Sequence, residues 1–108
     1  MSPKAQVAIS FMEDNLHRPI PIEEIARLVR LSRSRLCYLF KAEVGLAPTQ
    51  YLKKLRMEKS LELLRTSFLN IKEFAAKVGY NDSTHFMREF KKAYGSTPSQ
   101  HRASLRTY

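Results

Sequence analysis

Apolar residues in this chain recur every three or four positions, and alternating apolar–polar runs are absent, so the pattern is helical from end to end. Ser2-Pro3 forms a cap and first-turn pair, and Ala5, Ala8, Ile9, Met12 and Leu16 stripe a first helix to about His17. Arg18-Pro19-Ile20-Pro21 breaks it. Ile22, Ile25, Ala26 and Val29 face a short second helix, and Arg30-Leu31-Ser32 is a turn with Ser32 placed to cap the next helix. Leu36, Phe40 and Val44 stripe that third helix, which ends at Gly45. Pro48 opens a long fourth helix bearing Tyr51, Leu52, Leu55, Leu61 and Leu64 to about Arg65, and Thr66–Leu69 connects it to the rest.

The second half repeats the first. Asn70-Ile71-Lys72-Glu73 reads as a capping box. Ile71, Phe74, Ala75 and Val78 come next with the spacing of Ile22, Ile25, Ala26 and Val29, 49 positions on. After the turn Gly79-Tyr80-Asn81 and a cap at Asp82, Phe86, Phe90 and Tyr94 repeat Leu36, Phe40 and Val44 at an offset of 50. Phe90-Lys91, Gly95, Pro98 and Gln100 are identical to Phe40-Lys41, Gly45, Pro48 and Gln50 at that same offset. The change of one in the offset falls in the turn, where an insertion disturbs least. A short helix with a small inner-face alanine, a tight turn and an amphipathic helix make a helix-turn-helix. Here it occurs twice in tandem, which predicts an all-α chain of about seven helices. The expected layout is a first lobe over 4–46, a linker helix over 48–65 and a second lobe over 66–108.

Charge narrows the partners. The 108 residues carry 19 Lys+Arg against 10 Asp+Glu, a formal charge of +9. Such a balance favours a polyanion: nucleic acid, anionic membrane or an acidic protein. The 44% hydrophobic content is too high for disorder. No apolar run reaches the roughly 18 residues of a membrane span, and no basic segment followed by an apolar one opens the chain as a secretory signal would. A lone cysteine, Cys37, forms no internal disulfide, which suits a reducing cytoplasm.

Gly79-Tyr80, five residues, Phe86, three residues, Phe90-Lys91, three residues and Gly95-Ser96-Thr97-Pro98 resemble the signature of the AraC/XylS transcription regulators. The resemblance extends from about Phe11 to Arg102. It implies two helix-turn-helix lobes joined by a long helix, with both recognition helices entering successive major-groove segments of double-stranded DNA. It also implies a cytoplasmic, nucleoid-associated bacterial regulator that activates transcription through contact with RNA polymerase. Three positions depart from the family pattern. Pro21 stands where Ser or Thr often caps, Arg30 stands where its counterpart is Gly79, and His101 stands where an aromatic residue is usual. A positive φ at Arg30 would cost about 1 kcal/mol relative to glycine.

Helical geometry selects the residues able to reach DNA. Opposite the core stripe of the third helix lie Ser34, Arg35, Tyr38, Lys41 and Ala42; opposite that of the sixth lie Thr84, His85, Arg88, Lys91 and Lys92. Arg88 can bond guanine N7 and O6 together, and Thr84 can bond a base edge or touch a thymine methyl. Tyr38 offers a ring and a hydroxyl, for a base or for packing over a neighbouring helix. By the family motif, the base-reading positions are Ser34, Tyr38, Thr84 and Arg88, flanked by Arg33, Arg35, Cys37, Ser83, His85 and Met87. Cys37 either faces DNA or is an inert surface thiol. Ser32, Lys41, Lys53, Lys54, Asn81 and Lys91 are candidates for phosphate contact, which positions without specifying. Arg56 suits either a phosphate or a pairing within the lobe. An 18-residue linker spans about 27 Å, in keeping with two reading helices one duplex turn, roughly 34 Å, apart.

No enzymatic constellation, cofactor motif or metal-ligand spacing is present. His17, His85 and His101 are scattered, and neither G-x-x-x-x-G-K nor G-x-G-x-x-G occurs. Two other classes remain. A helical protein-interaction module with only electrostatic DNA affinity would need an exposed apolar patch, which the pattern does not obviously supply. An RNA binder would bring exposed aromatics or an arginine-rich tract. A chain of this length leaves no room for an effector pocket or dimerisation domain, so the expectation is a monomeric DNA-binding piece of a larger sensor or, failing that, a stand-alone regulator.

Overall fold

Ser2, Ser32, Asn70 and Asp82 each cap the start of a helix in the computed structural model, which describes residues 1–68 and 70–105. Leu69, expected in the connector, and residues 106–108, expected in the second lobe, lie outside the described residues. The described residues form seven α-helices and no strand: α1 (Pro3–Asp14), α2 (Ile22–Leu28), α3 (Arg33–Glu43), α4 (Pro48–Thr66), α5 (Ile71–Lys77), α6 (Ser83–Tyr94) and α7 (Pro98–Leu105).

α1 stops at Asp14, short of the expected His17. Asn15 is the reason. Its side-chain amide donates to the Phe11 carbonyl at 2.8 Å and its backbone N–H turns back to Met12, an asparagine competing locally with the helix. Leu16 still packs on the core, from a turn rather than from a helix. Pro21 leads into α2 without a side-chain capping bond, as its chemistry requires. At α5 the capping box is complete: Glu73 N–H donates to Asn70 Oδ1 at 2.9 Å, and Asn70 N–H donates to Glu73 Oε1 at 3.0 Å.

The two tight turns are the same motif. Leu31 N–H bonds to the Ala26 carbonyl (2.9 Å) and Arg30 N–H to the Arg27 carbonyl (3.2 Å). In the second repeat Tyr80 N–H bonds to Ala75 (2.7 Å) and Gly79 N–H to Ala76 (3.2 Å). Both are Schellman closures, which need a left-handed residue at the pivot. Gly79 supplies it at φ +85°, whereas Arg30 is driven there at φ +57°. Asn81 is the inserted residue, standing between Tyr80 and the cap Asp82 where Leu31 meets Ser32 directly.

The chain divides into two units, Met1–Leu55 and Arg56–Tyr108. In the first, Met12, Ile25, Leu36 and Phe40 are fully enclosed, joined by Leu52 from the first half of α4. In the second, Phe74, Val78, Phe86 and Phe90 are enclosed, joined by Met57 and Leu64 from the second half of α4. Ala26 and Ala75 are buried at equivalent positions, small enough for the hairpin helices to approach. Ser60 is also buried, and its hydroxyl donates to the Met57 carbonyl at 2.7 Å, so its burial strands no donor. At the end of the second unit His101 meets Phe90 and Tyr94 at centroid distances of 5.9 and 6.5 Å, an imidazole filling the aromatic position.

Candidate nucleic-acid interface

α3 starts where the Ser32 hydroxyl accepts the Arg35 N–H at 3.1 Å, and α6 where Asp82 Oδ1 accepts the Thr84 N–H at 2.9 Å. These caps fix the phase of each helix, with Leu36 and Phe40, or Phe86 and Phe90, turned inward. The opposite faces are open. Ser34, Arg35, Tyr38, Lys41 and Ala42 are exposed on α3, and Thr84, His85, Arg88, Lys91 and Lys92 on α6. Tyr38 is 78% exposed, so it stands clear of neighbouring helices instead of packing over one. Ser34 and Tyr38, like Thr84 and Arg88, are separated by four residues and share a face.

The flanking candidates divide. Cys37 is half-buried and packs against the first core. Met87, at the equivalent position in α6, is also half-buried, as is Ser83. Arg33 is exposed but extends back to α2, with Nη1 2.9 Å from Glu23 Oε1. Ser32 and Asn81 are exposed beside their turns, and the Ser32 hydroxyl, having accepted from Arg35, still has its proton to donate. Lys53 and Lys54 are exposed on the first half of α4. Arg56 is half-buried instead, with its guanidinium over the Tyr80 ring at 6.0 Å; burial pushes it below its usual value, and Tyr80 opposes that shift.

Sequence reasoning missed a polar cluster under α6. His85 lies edge-on to Tyr80 (5.3 Å), and its Nε2 is 3.6 Å from Glu89 Oε1. Burial pushes the Tyr80 phenol up, and the Glu89 charge adds to the shift. His85 is thus exposed yet held against its own helix and the turn. The four-residue spacing of His85 and Glu89 was a visible signal; the contact with Tyr80 across the turn, outside helical periodicity, was not.

Large apolar side chains exposed elsewhere include Val7, Leu28 and Phe68. Among the described residues no group of three or more His, Cys, Asp or Glu is placed to hold a metal ion, and no helix is long and apolar enough to cross a membrane.

Comparison with known proteins gives one answer. A protein-family profile described as a helix-turn-helix domain matches residues 25–104. The raffinose operon transcriptional regulatory protein RafR of Pediococcus pentosaceus is 35% identical over 99 residues, 92% of this chain and 36% of that protein. The regulator GbdR of Pseudomonas aeruginosa is 33% identical over 100 residues, 93% of this chain and 27% of that protein. The chain therefore spans about a third of the length of the curated relatives it matches. Among solved structures, the C-terminal domain of AraT, a response regulator from Geobacillus stearothermophilus, superposes with a TM-score of 0.91 at 34% identity, covering 95% of this chain and 86% of that one. The DNA-binding domain of AdpA, solved in complex with a target DNA, has a TM-score of 0.91 at 27% identity, covering 98% and 95%. These relatives are regulators and not enzymes, and the chain belongs to the AraC-type helix-turn-helix family, the DNA-binding domains of transcriptional regulators.

Proposed function

We propose that this domain binds double-stranded DNA sequence-specifically as a monomer, with α3 and α6 reading two major-groove segments of a bipartite site. The supporting observation is the pair of matched faces. Ser34, Arg35, Tyr38 and Lys41 on α3, and Thr84, His85, Arg88 and Lys91 on α6, are exposed in the same register, and none carries a carboxylate. Ser34, Tyr38, Thr84 and Arg88 contact base edges. Ser32, Lys41, Lys53, Lys54, Asn81 and Lys91 contact the backbone, where cations and hydroxyls set register and contribute most of the salt-dependent affinity. The protein carrying the domain regulates transcription, acting as an activator that engages RNA polymerase.

Selection from a random duplex library at roughly physiological salt tests the reading. Enrichment of a two-part motif is the expected result. Retained binding of bulk DNA with no enriched sequence would contradict it, and would make the domain an electrostatic scaffold.

A further inference from the structure

The two reading helices are matched in position but not in chemistry. Tyr38 and Arg88 occupy the same place in the two repeats, 50 positions apart. Beside Tyr38 lies a mostly apolar groove of about 710 Å3, whose lining includes Pro3, Lys4, Leu31, Arg35, Tyr38 and Leu39. Leu39 is half-buried, yet it is not among the side chains packed on the first core. In the second repeat the counterparts of Leu31, Arg35 and Leu39 are Tyr80, His85 and Glu89, which form the polar cluster under α6.

The lining of the groove also limits its occupant. Its charged residues, Lys4 and Arg35, are both cationic, and no carboxylate is among them. A partner that joins negative charge to an apolar projection complements this lining. In the major groove of duplex DNA the thymine C5-methyl is the apolar group on offer, and the phosphates lie beside it.

We propose that α3 reads thymine by apolar contact, the methyl resting on the Tyr38 ring at the mouth of the groove bordered by Leu31 and Leu39, while α6 reads guanine through Arg88. The inference rests on the sequence-specific reading proposed for the domain and assigns a base to each helix. Lys4 and Arg35, the charged residues of the lining, are placed for a phosphate beside the contacted thymine.

Base analogues test this without altering the protein's fold. The selected site is divided into halves by repeating the selection with Tyr38→Ala and with Arg88→Ala, both substitutions at exposed helical positions. Binding is then measured on duplexes in which uracil replaces thymine in one half at a time, which removes only the methyl. Uracil in the half assigned to Tyr38 should weaken binding about fourfold per contacted base, and have little effect in the other half. Replacing guanine with 7-deazaguanine, which lacks N7, should cost about tenfold in the half assigned to Arg88. Indifference to uracil in the Tyr38 half, or equal sensitivity in both halves, overturns the assignment while leaving sequence-specific binding intact. Failure to enrich any sequence is a different result and removes the underlying reading together with this one.

Discussion

Glu43, the last residue of α3, accepts two hydrogen bonds from Ser2: one from the backbone N–H at 2.5 Å and one from the hydroxyl at 2.7 Å. The same hydroxyl accepts the Ala5 N–H at 3.3 Å, so a single serine caps α1 and ties its start to the end of α3. The Ser2 hydroxyl, and after it the Ser2 backbone N–H, hold the Glu43 carboxyl below its ordinary value of 4.5. Glu24 is depressed in the same way, chiefly by its hydrogen bonds from Arg18.

Both carboxyls bind protons less readily folded than unfolded. Their contribution is therefore present above the ordinary value of 4.5 and is lost as pH falls through the depressed ones. Glu43→Gln and Glu24→Gln should each lower Tm near neutral pH, and the gap from the unmodified domain should close as pH drops from about 6 to about 3. Thermal melts followed by circular dichroism across that range check the direction. A gap that widens in acid would contradict the assigned hydrogen bonds.

The paired turns give a second test. A left-handed residue with a β-carbon costs about 1–2 kcal/mol, and glycine returns about 0.5–1 kcal/mol of that in chain entropy. Arg30→Gly should accordingly stabilise the domain by about 0.5–1 kcal/mol, and Gly79→Ala should destabilise it by a similar amount. Chemical denaturation of the two variants measures both. Equal and opposite signs are expected because the two pivots have the same backbone hydrogen bonds.

Phosphate contact separates from base reading through salt. Lys41→Ala and Lys91→Ala should weaken binding to selected and unrelated duplexes alike, and each should reduce the slope of log affinity against log salt by about 1. Titrations at several salt concentrations provide the slopes. A loss confined to the selected sequence would place that lysine on a base edge.

Much of the fold was legible because the repeat is written twice. The Asn70–Glu73 box, the caps at Ser32 and Asp82, and the left-handed Arg30 all come from local chemistry, which depends on few residues. The end of α1 did not, since it turns on whether Asn15 bonds to the backbone behind it or to solvent. The exposed faces of α3 and α6 came from 100° per residue and the buried Leu36–Phe40 and Phe86–Phe90 pairs. What escaped the pattern were contacts between elements distant in sequence: Ser2 with Glu43, Arg56 with Tyr80, and the groove between the start of α1 and α3. The half-burial of Cys37 escaped for a related reason. It sits at the border between the core stripe and the open arc, where periodicity does not decide which side wins.

Two helices reading separate parts of one site is the central claim, and Arg88 tests it most directly. Its side chain is exposed on α6, so Arg88→Ala leaves the core untouched. Library selection with this variant should return the motif of the unmodified domain with one half intact and the other relaxed, at a cost of about 1–3 kcal/mol for the lost guanine contact. An unchanged motif, or the collapse of both halves together, would contradict the account.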